Sequence, residues 1–167
     1  MMQKAMVIFL FLPLLMWGEA SFSVGMGGNV KYIPGSYMLD TVDNWKAILF
    51  PHFVAAGGHL QAEVTLDEIW VFMMRGGAFW PSDKVVGFFF EPLLRWYGNG
   101  TAPEEVSVGV GFLYLQIERY LCVYPEITAS YKWTFGRFFV EPELGAYFTY
   151  FDGTLGLRLH LTTGFLF

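Results

Sequence analysis

The stretch Leu155 to Phe167 constrains the fold more than any other part of the chain. It reads Leu-Gly-Leu-Arg-Leu-His-Leu-Thr-Thr-Gly-Phe-Leu-Phe. Leu155, Leu157, Leu159, Leu161, Thr163, Phe165 and Phe167 share one parity, and Gly156, Arg158, His160, Thr162 and Gly164 share the other. Side chains repeat every second residue only in extended backbone, so this is a β-strand with one apolar face and one small or polar face.

The same alternation recurs upstream. Ser21 to Ile33 sets Phe22, Val24, Met26, Gly28, Val30 and Tyr32 against Ser23, Gly25, Gly27, Asn29 and Lys31, and Pro34-Gly35-Ser36 ends it. Phe50 to Val64 sets Val54, Leu60 and Val64 against His59, Gln61 and Glu63. Val85 to Tyr97 places Glu91 and Arg95 opposite Phe88, Phe90, Leu94 and Trp96. Val106 to Tyr114 alternates until the pattern slips near Leu115 to Arg119. Val123 to Phe135 carries Glu126 and Lys132 on its polar face, and Gly136-Arg137 turns the chain into Phe138 to Tyr150, which carries Glu141 and Glu143. Asp152-Gly153 then reads as a two-residue hairpin turn into the last strand.

Three segments read differently. A tight turn around Thr65 to Asp67 leads to Glu68 to Met74, where both parities are apolar. Arg75-Gly76-Gly77 breaks that strand or begins a bulge, and Pro81-Ser82-Asp83 marks a loop. Tyr37 to Leu49, the longest connection, is expected to be an exposed loop, with room for one helical turn started by Asp40.

The pattern predicts an all-β fold: a closed antiparallel up-and-down transmembrane β-barrel of about eight strands. A soluble lipocalin-like barrel would alternate too, so the contents of the two faces must decide. Only 15% of the residues are charged and 54% are apolar, whereas charged residues make up roughly a quarter of soluble domains. The apolar parity is almost purely aliphatic and aromatic and suits hydrocarbon. The other parity mixes Gly, Ser and Thr with a few charges, which suits a tight interior.

That interior set is Lys31, Glu63, Glu91, Arg95, Glu126, Lys132, Glu141, Glu143, Arg158 and His160. Buried charges are tolerated only when matched and hydrogen-bonded, so the acids are expected to pair with the bases across strands. Such a cluster is either structural or lines a path for ions or small solutes. Strand direction also sorts the aromatics, with Phe22, Trp70, Trp96, Trp133, Phe138 and Phe167 toward one rim and Tyr32, Trp80, Tyr114 and Tyr150 toward the other. These would be two interfacial girdles. Pro92, Pro125 and Pro142 fall inside strands of a sheet without free edges, so bulges or strand ends are needed to accommodate them.

Met1 to Ala20 has the form of a secretory signal, with Lys4 in the n-region, Ala5 to Met16 as the apolar run and Gly18-Glu19-Ala20 at the cleavage site. Residues 21–167 are then the barrel. Cys122 is the sole cysteine, which excludes an internal disulfide and a cysteine-rich metal site. With a net charge of -5 and no basic patch, nucleic acid is not an expected partner. Neither a Walker sequence nor a His-Glu-x-x-His run is present, and none of His52, His59 and His160 has a Ser two positions on. No cofactor, metal or catalytic residue is therefore expected, and no enzymatic activity.

A signal segment, alternating strands, aromatic girdles and a terminal Phe167 together resemble the small outer-membrane β-barrels of diderm bacteria, the group that includes OmpW, OmpX and the membrane domain of OmpA. The resemblance implies outer-membrane location, contact with outer-membrane lipid, and escort by periplasmic chaperones. It also implies that Phe165 and Phe167 form the signal read by the barrel-assembly machinery. Two functions follow: a narrow porin or channel for small or hydrophobic solutes, as in OmpW-like members, or a structural or surface-interaction protein with a plugged lumen.

Overall fold

The structure is a computed structural model and describes residues 21–40, 47–82, 85–98, 105–149 and 154–167. Ten strands follow in chain order: β1 (Phe22–Ile33), β2 (Ser36–Asp40), β3 (Ala47–Phe50), β4 (Phe53–Thr65), β5 (Trp70–Ser82), β6 (Val85–Trp96), β7 (Glu105–Ile117), β8 (Tyr120–Phe135), β9 (Phe138–Phe148) and β10 (Leu155–Leu166). Eight of them, β1 and β4 to β10, hydrogen-bond side by side, and the β8–β9 pairing closes the ring. Every pairing is antiparallel. The chain therefore forms a closed eight-stranded up-and-down barrel.

Closure places the first and last strands together. β1 and β10 pair from Ser23↔Leu166 to Tyr32↔Leu157. Phe22 and Phe167 then exchange backbone hydrogen bonds at 3.3 and 2.8 Å, so the final residue is part of the seam. We call this end of the barrel the proximal rim and the other the distal rim.

The alternation read from the sequence is the alternation of the wall. In β10, Leu155, Leu157, Leu159 and Leu161 are exposed, and Gly156, Arg158, His160 and Thr162 are buried. The exposed row includes Phe135 at 65% and Leu159 at 59%. An apolar belt of this extent is unstable in water and matched to hydrocarbon. Trp70 pairs with Trp96 and the Phe22 and Phe167 rings lie 6.5 Å apart at the proximal rim; Tyr32, Trp80 and Tyr114 stand toward the distal rim. Tyr150 is outside the described residues.

Four expectations are corrected. Tyr37 to Leu49 is not a plain loop: β2 and β3 pair as a hairpin from Ser36↔Phe50 to Leu39↔Ala47. β2 also pairs with β8 through Leu39↔Leu121 and Asp40↔Tyr120. This is possible because β8 outruns β9, whose pairing with it begins only at Glu126↔Tyr147. β5 continues unbroken through Arg75-Gly76-Gly77 to Ser82, and its register shifts only between Phe79 and Ser82. That takes Pro81 and Ser82 into the strand. β7 keeps its alternation to Ile117, where Ile117↔Tyr120 closes the hairpin. The turn after β4 is placed at Leu66 to Ile69, where the Asp67 carboxylate accepts backbone N–H bonds from Ile69 (2.9 Å) and Trp70 (2.7 Å).

The expected signal segment Met1–Ala20, residues 41–46 of the expected helical turn, Asp83 and the expected turn at Asp152-Gly153 lie outside the described residues.

The prolines need no bulge. Pro92 pairs with Met74 on β5, while the β6–β7 ladder passes from Phe90↔Tyr114 to Leu93↔Gly111 in constant register. Pro142 likewise pairs with Leu161 on β10 and faces a skipped step between Ser130↔Glu143 and Trp133↔Val140 on β8. Pro125 sits just beyond the end of the β8–β9 ladder. Pro92 and Pro142 thus each fall where two successive residue pairs are absent from one ladder, and Pro125 where a ladder has ended.

Candidate functional site

The inward faces of the eight strands meet in the lumen, where two layers are stacked. The middle layer is ionic. Its carboxylates are Glu63, Glu91, Glu126, Glu141 and Glu143, and its cations are Lys31, Arg75, Arg95, Lys132 and Arg158, all buried. Acids and bases are equal in number, so the layer is neutral.

Glu143 is the hub. It accepts from Arg75 at 2.6 Å and Arg158 at 2.9 Å, and it also pairs with Arg95. Glu91 holds Lys31 at 2.7 Å, Arg75 at 3.1 Å and Arg158 at 3.1 Å, with His160 Nε2 at 3.8 Å. Glu63 pairs with Arg95 at 2.7 Å and with Lys132, and accepts from Ser23 Oγ at 2.6 Å. Glu141 pairs with Arg95 and, at 3.6 Å, with Lys132. Glu126 is held by Arg158 at 2.9 Å. Lys31 and Lys132 also lie over the Phe89 and Phe139 rings, at 3.7 and 4.6 Å.

Gln61 ties the two halves of this layer. Its Oε1 accepts from Arg75 Nε (2.9 Å) and Nη2 (2.6 Å), while its Nε2 donates to Glu63 and Glu141 at 3.0 Å each. Charges on both sides fix the amide orientation.

The distal layer is apolar. Ile33, Ala55, Phe79, Phe89, Leu113, Leu115, Ile117, Cys122, Tyr124 and Tyr147 form one buried cluster, with Phe53, Val85 and Tyr120 packed against it. Tyr147 stacks on Tyr124 at 5.4 Å and donates its hydroxyl to the Tyr32 carbonyl at 2.6 Å. Cys122 is one more small filler in this layer.

The ten residues singled out from sequence, Lys31, Glu63, Glu91, Arg95, Glu126, Lys132, Glu141, Glu143, Arg158 and His160, all point inward and are brought together in this middle layer. Phe165 and Phe167 instead point outward at the proximal rim, with Phe165 packed 5.9 Å from Phe138. Sequence reasoning missed Arg75 and the bridging role of Gln61. Arg75 shares its parity with Val71, Met73 and Phe79, but the Gly-Gly that follows reads as a break. The signal that identifies it is charge balance, because five interior acids otherwise face four bases.

No protein-family model matches the chain, and no curated protein matches it in sequence. Among solved structures, it is similar to the N-terminal β-barrel domain of Pseudomonas aeruginosa OprF, at 16% identity and a TM-score of 0.59, over 88% of this chain and 97% of that one. It is also similar to Ail, the attachment invasion locus protein of Yersinia pestis, at 12% identity and a TM-score of 0.52, over 89% and 99% of the two chains. The chain thus has the fold of the small bacterial outer-membrane β-barrels.

Proposed function

We propose that the protein is an outer-membrane barrel with a sealed lumen, working as a structural or surface-interaction protein and not as a pore or an enzyme. One observation carries this reading: Arg75, Arg95, Arg158, Lys31, Glu91 and Glu141 are at most 1% exposed. In a water-filled channel these charges would be wet. Here they are neutralised by one another, and the apolar layer stands between them and the distal rim. Eight strands leave an interior that side chains can fill, which is the packing seen.

The porin-like alternative would require this neutral cluster to separate, with each charge left without its partner. The distal hairpin β2–β3, raised on the free end of β8, offers the surface for interaction. On this reading Met1 to Ala20 is removed on export, periplasmic chaperones carry the unfolded chain, and the barrel-assembly machinery recognises Phe165 and Phe167.

Planar-bilayer recording of the purified folded barrel tests the sealed lumen. No conductance above the bare bilayer is expected, and steady single-channel steps would overturn the reading. Proteolysis of intact cells with cleavage confined to the β2–β3 hairpin is expected for the surface role.

A further inference from the structure

Buried polar atoms without a hydrogen-bond partner among the described residues include Tyr97 Oη and single atoms of Arg95, Glu126 and Arg158, and also those of three further side chains. The last are both amide atoms of Asn29, Nδ1 of His59 and Nδ1 of His160. All three residues are at least nine-tenths buried, at 4, 5 and 3% exposure. They are also neighbours. Asn29 stands directly opposite His160 in the β1–β10 pairing, and the His59 and His160 rings lie 4.8 Å apart. Gly27 and Gly57 flank Asn29 on the wall of this spot: Gly27 lies opposite His59 and Gly57 opposite Asn29.

The partner of His160 fixes which nitrogen of its ring carries the proton. His160 Nε2 lies 3.3 Å from the Lys31 ammonium. An ammonium only donates, so Nε2 is bare and Nδ1 bears the proton. For His59 the chain runs the other way. Thr162 Oγ1 gives its proton to Gln61 Oε1 at 3.3 Å and accepts from His59 Nε2 at 2.8 Å. With that donor order His59 Nδ1 is a bare acceptor. The orphan set is thus one ring donor, one ring acceptor, and an amide that supplies one of each.

We propose that Asn29, His59 and His160 form a built internal water site. Water, small and able both to donate and to accept, matches such a mixed set of donors and acceptors. An anion would meet the bare His59 nitrogen and the Asn29 oxygen, and a metal ion would meet the protonated His160 Nδ1. Among the described residues no group of three His, Cys, Asp or Glu side chains is placed to hold a metal ion. The water accepts from His160 Nδ1–H, donates to His59 Nδ1 and completes its bonds with Asn29. It joins the Lys31–Glu91 side of the ionic layer to the Thr162–Gln61 side.

Nitrogen-15 NMR of the folded full-length barrel in lipid nanodiscs tests this. His160 is expected as the Nδ1–H tautomer with a cross-peak from that proton to water, and His59 as the Nε2–H tautomer. His160 protonated at Nε2, or an Nδ1–H with no water cross-peak, would overturn the proposal. Asn29→Leu is expected to lose or weaken the cross-peak several-fold with the His160 tautomer unchanged. Asn29→Ser, which keeps a hydroxyl, is expected to retain it, and an unaltered peak in Asn29→Leu would count against the site. The wild-type measurement decides even where a variant does not fold.

Discussion

Arg75 and Glu143 stand on β5 and β9, strands directly opposite each other in the ring of eight, and meet across the lumen in a forked ion pair at 2.6 and 3.2 Å. A side chain from each wall therefore spans the bore. The pair Arg158–Glu91, at 3.1 Å, crosses between β10 and β6 in the same way. Ladder hydrogen bonds join each strand only to its neighbours, but these pairs brace the cylinder across its width.

Removing one partner strands the other. Arg75→Ala is expected to destabilise the barrel by about 3–5 kcal/mol, the cost of an uncompensated buried charge. Arg158→Ala should act likewise, because it holds Glu91, Glu126 and Glu143. The double replacement Arg75→Met with Glu143→Leu should cost less than Arg75→Ala alone, because the remaining layer is again balanced. Urea unfolding in lipid vesicles measures all three, and equal losses in single and double variants would contradict the pairing.

The outward row predicts a different penalty. Leu159 is exposed at the middle of β10, between Val30 and Leu144 on the flanking strands. Leu159→Lys should cost about 2–4 kcal/mol in a bilayer, the value for a cation near the midplane of a barrel wall. A loss below about 1 kcal/mol in the same unfolding experiment would mean that this row does not face hydrocarbon.

Two glycines serve as seats for aromatic rings. Gly156 pairs with Tyr147 and Gly87 with Phe79, and in each case a Cβ would collide with the ring. Gly156→Ala is expected to destabilise by about 1–3 kcal/mol through overpacking. Tyr147→Phe keeps the ring but loses the bond to the Tyr32 carbonyl, for about 0.5–1.5 kcal/mol. Thermal unfolding in detergent should rank the two in that order.

Phe167 separates stability from assembly. The residue is 72% exposed, although its backbone closes the seam with Phe22. Phe167→Ala should change stability in vesicles by no more than about 0.5 kcal/mol, as surface replacements do. Its yield in the outer membrane of cells should nonetheless fall several-fold. Equal yields of the two proteins would remove the proposed role as an assembly signal.

The barrel is legible in the sequence because parity is a local signal: Leu157 and Arg158 announce opposite faces without knowledge of any other strand. The ionic layer is legible for the same reason. Partner choice is not, because whether Glu143 meets Arg75 or Lys132 depends on which strands end up opposite, a property of ring closure. β5 is hard to read because Val71, Phe72, Met73 and Met74 are apolar on both parities, one set facing lipid and the other the lumen. The β2–β3 hairpin depends on the overhang of β8 past β9, which no short window contains. The paired runs Phe88-Phe89-Phe90-Glu91-Pro92 and Phe138-Phe139-Val140-Glu141-Pro142 show what local grammar conveys: an inward Glu followed by an outward Pro at a skipped ladder step.

The neutrality of the ionic layer has an electrical consequence. Its cations and carboxylates cancel, so the whole formal charge of -5 belongs to residues outside that set. The interior of the barrel is thus an uncharged shaft, and the excess of acids lies outside it. The protein's migration in an electric field, its repulsion from other anionic surfaces and its response to ionic strength should all be governed there, and be indifferent to what the interior contains.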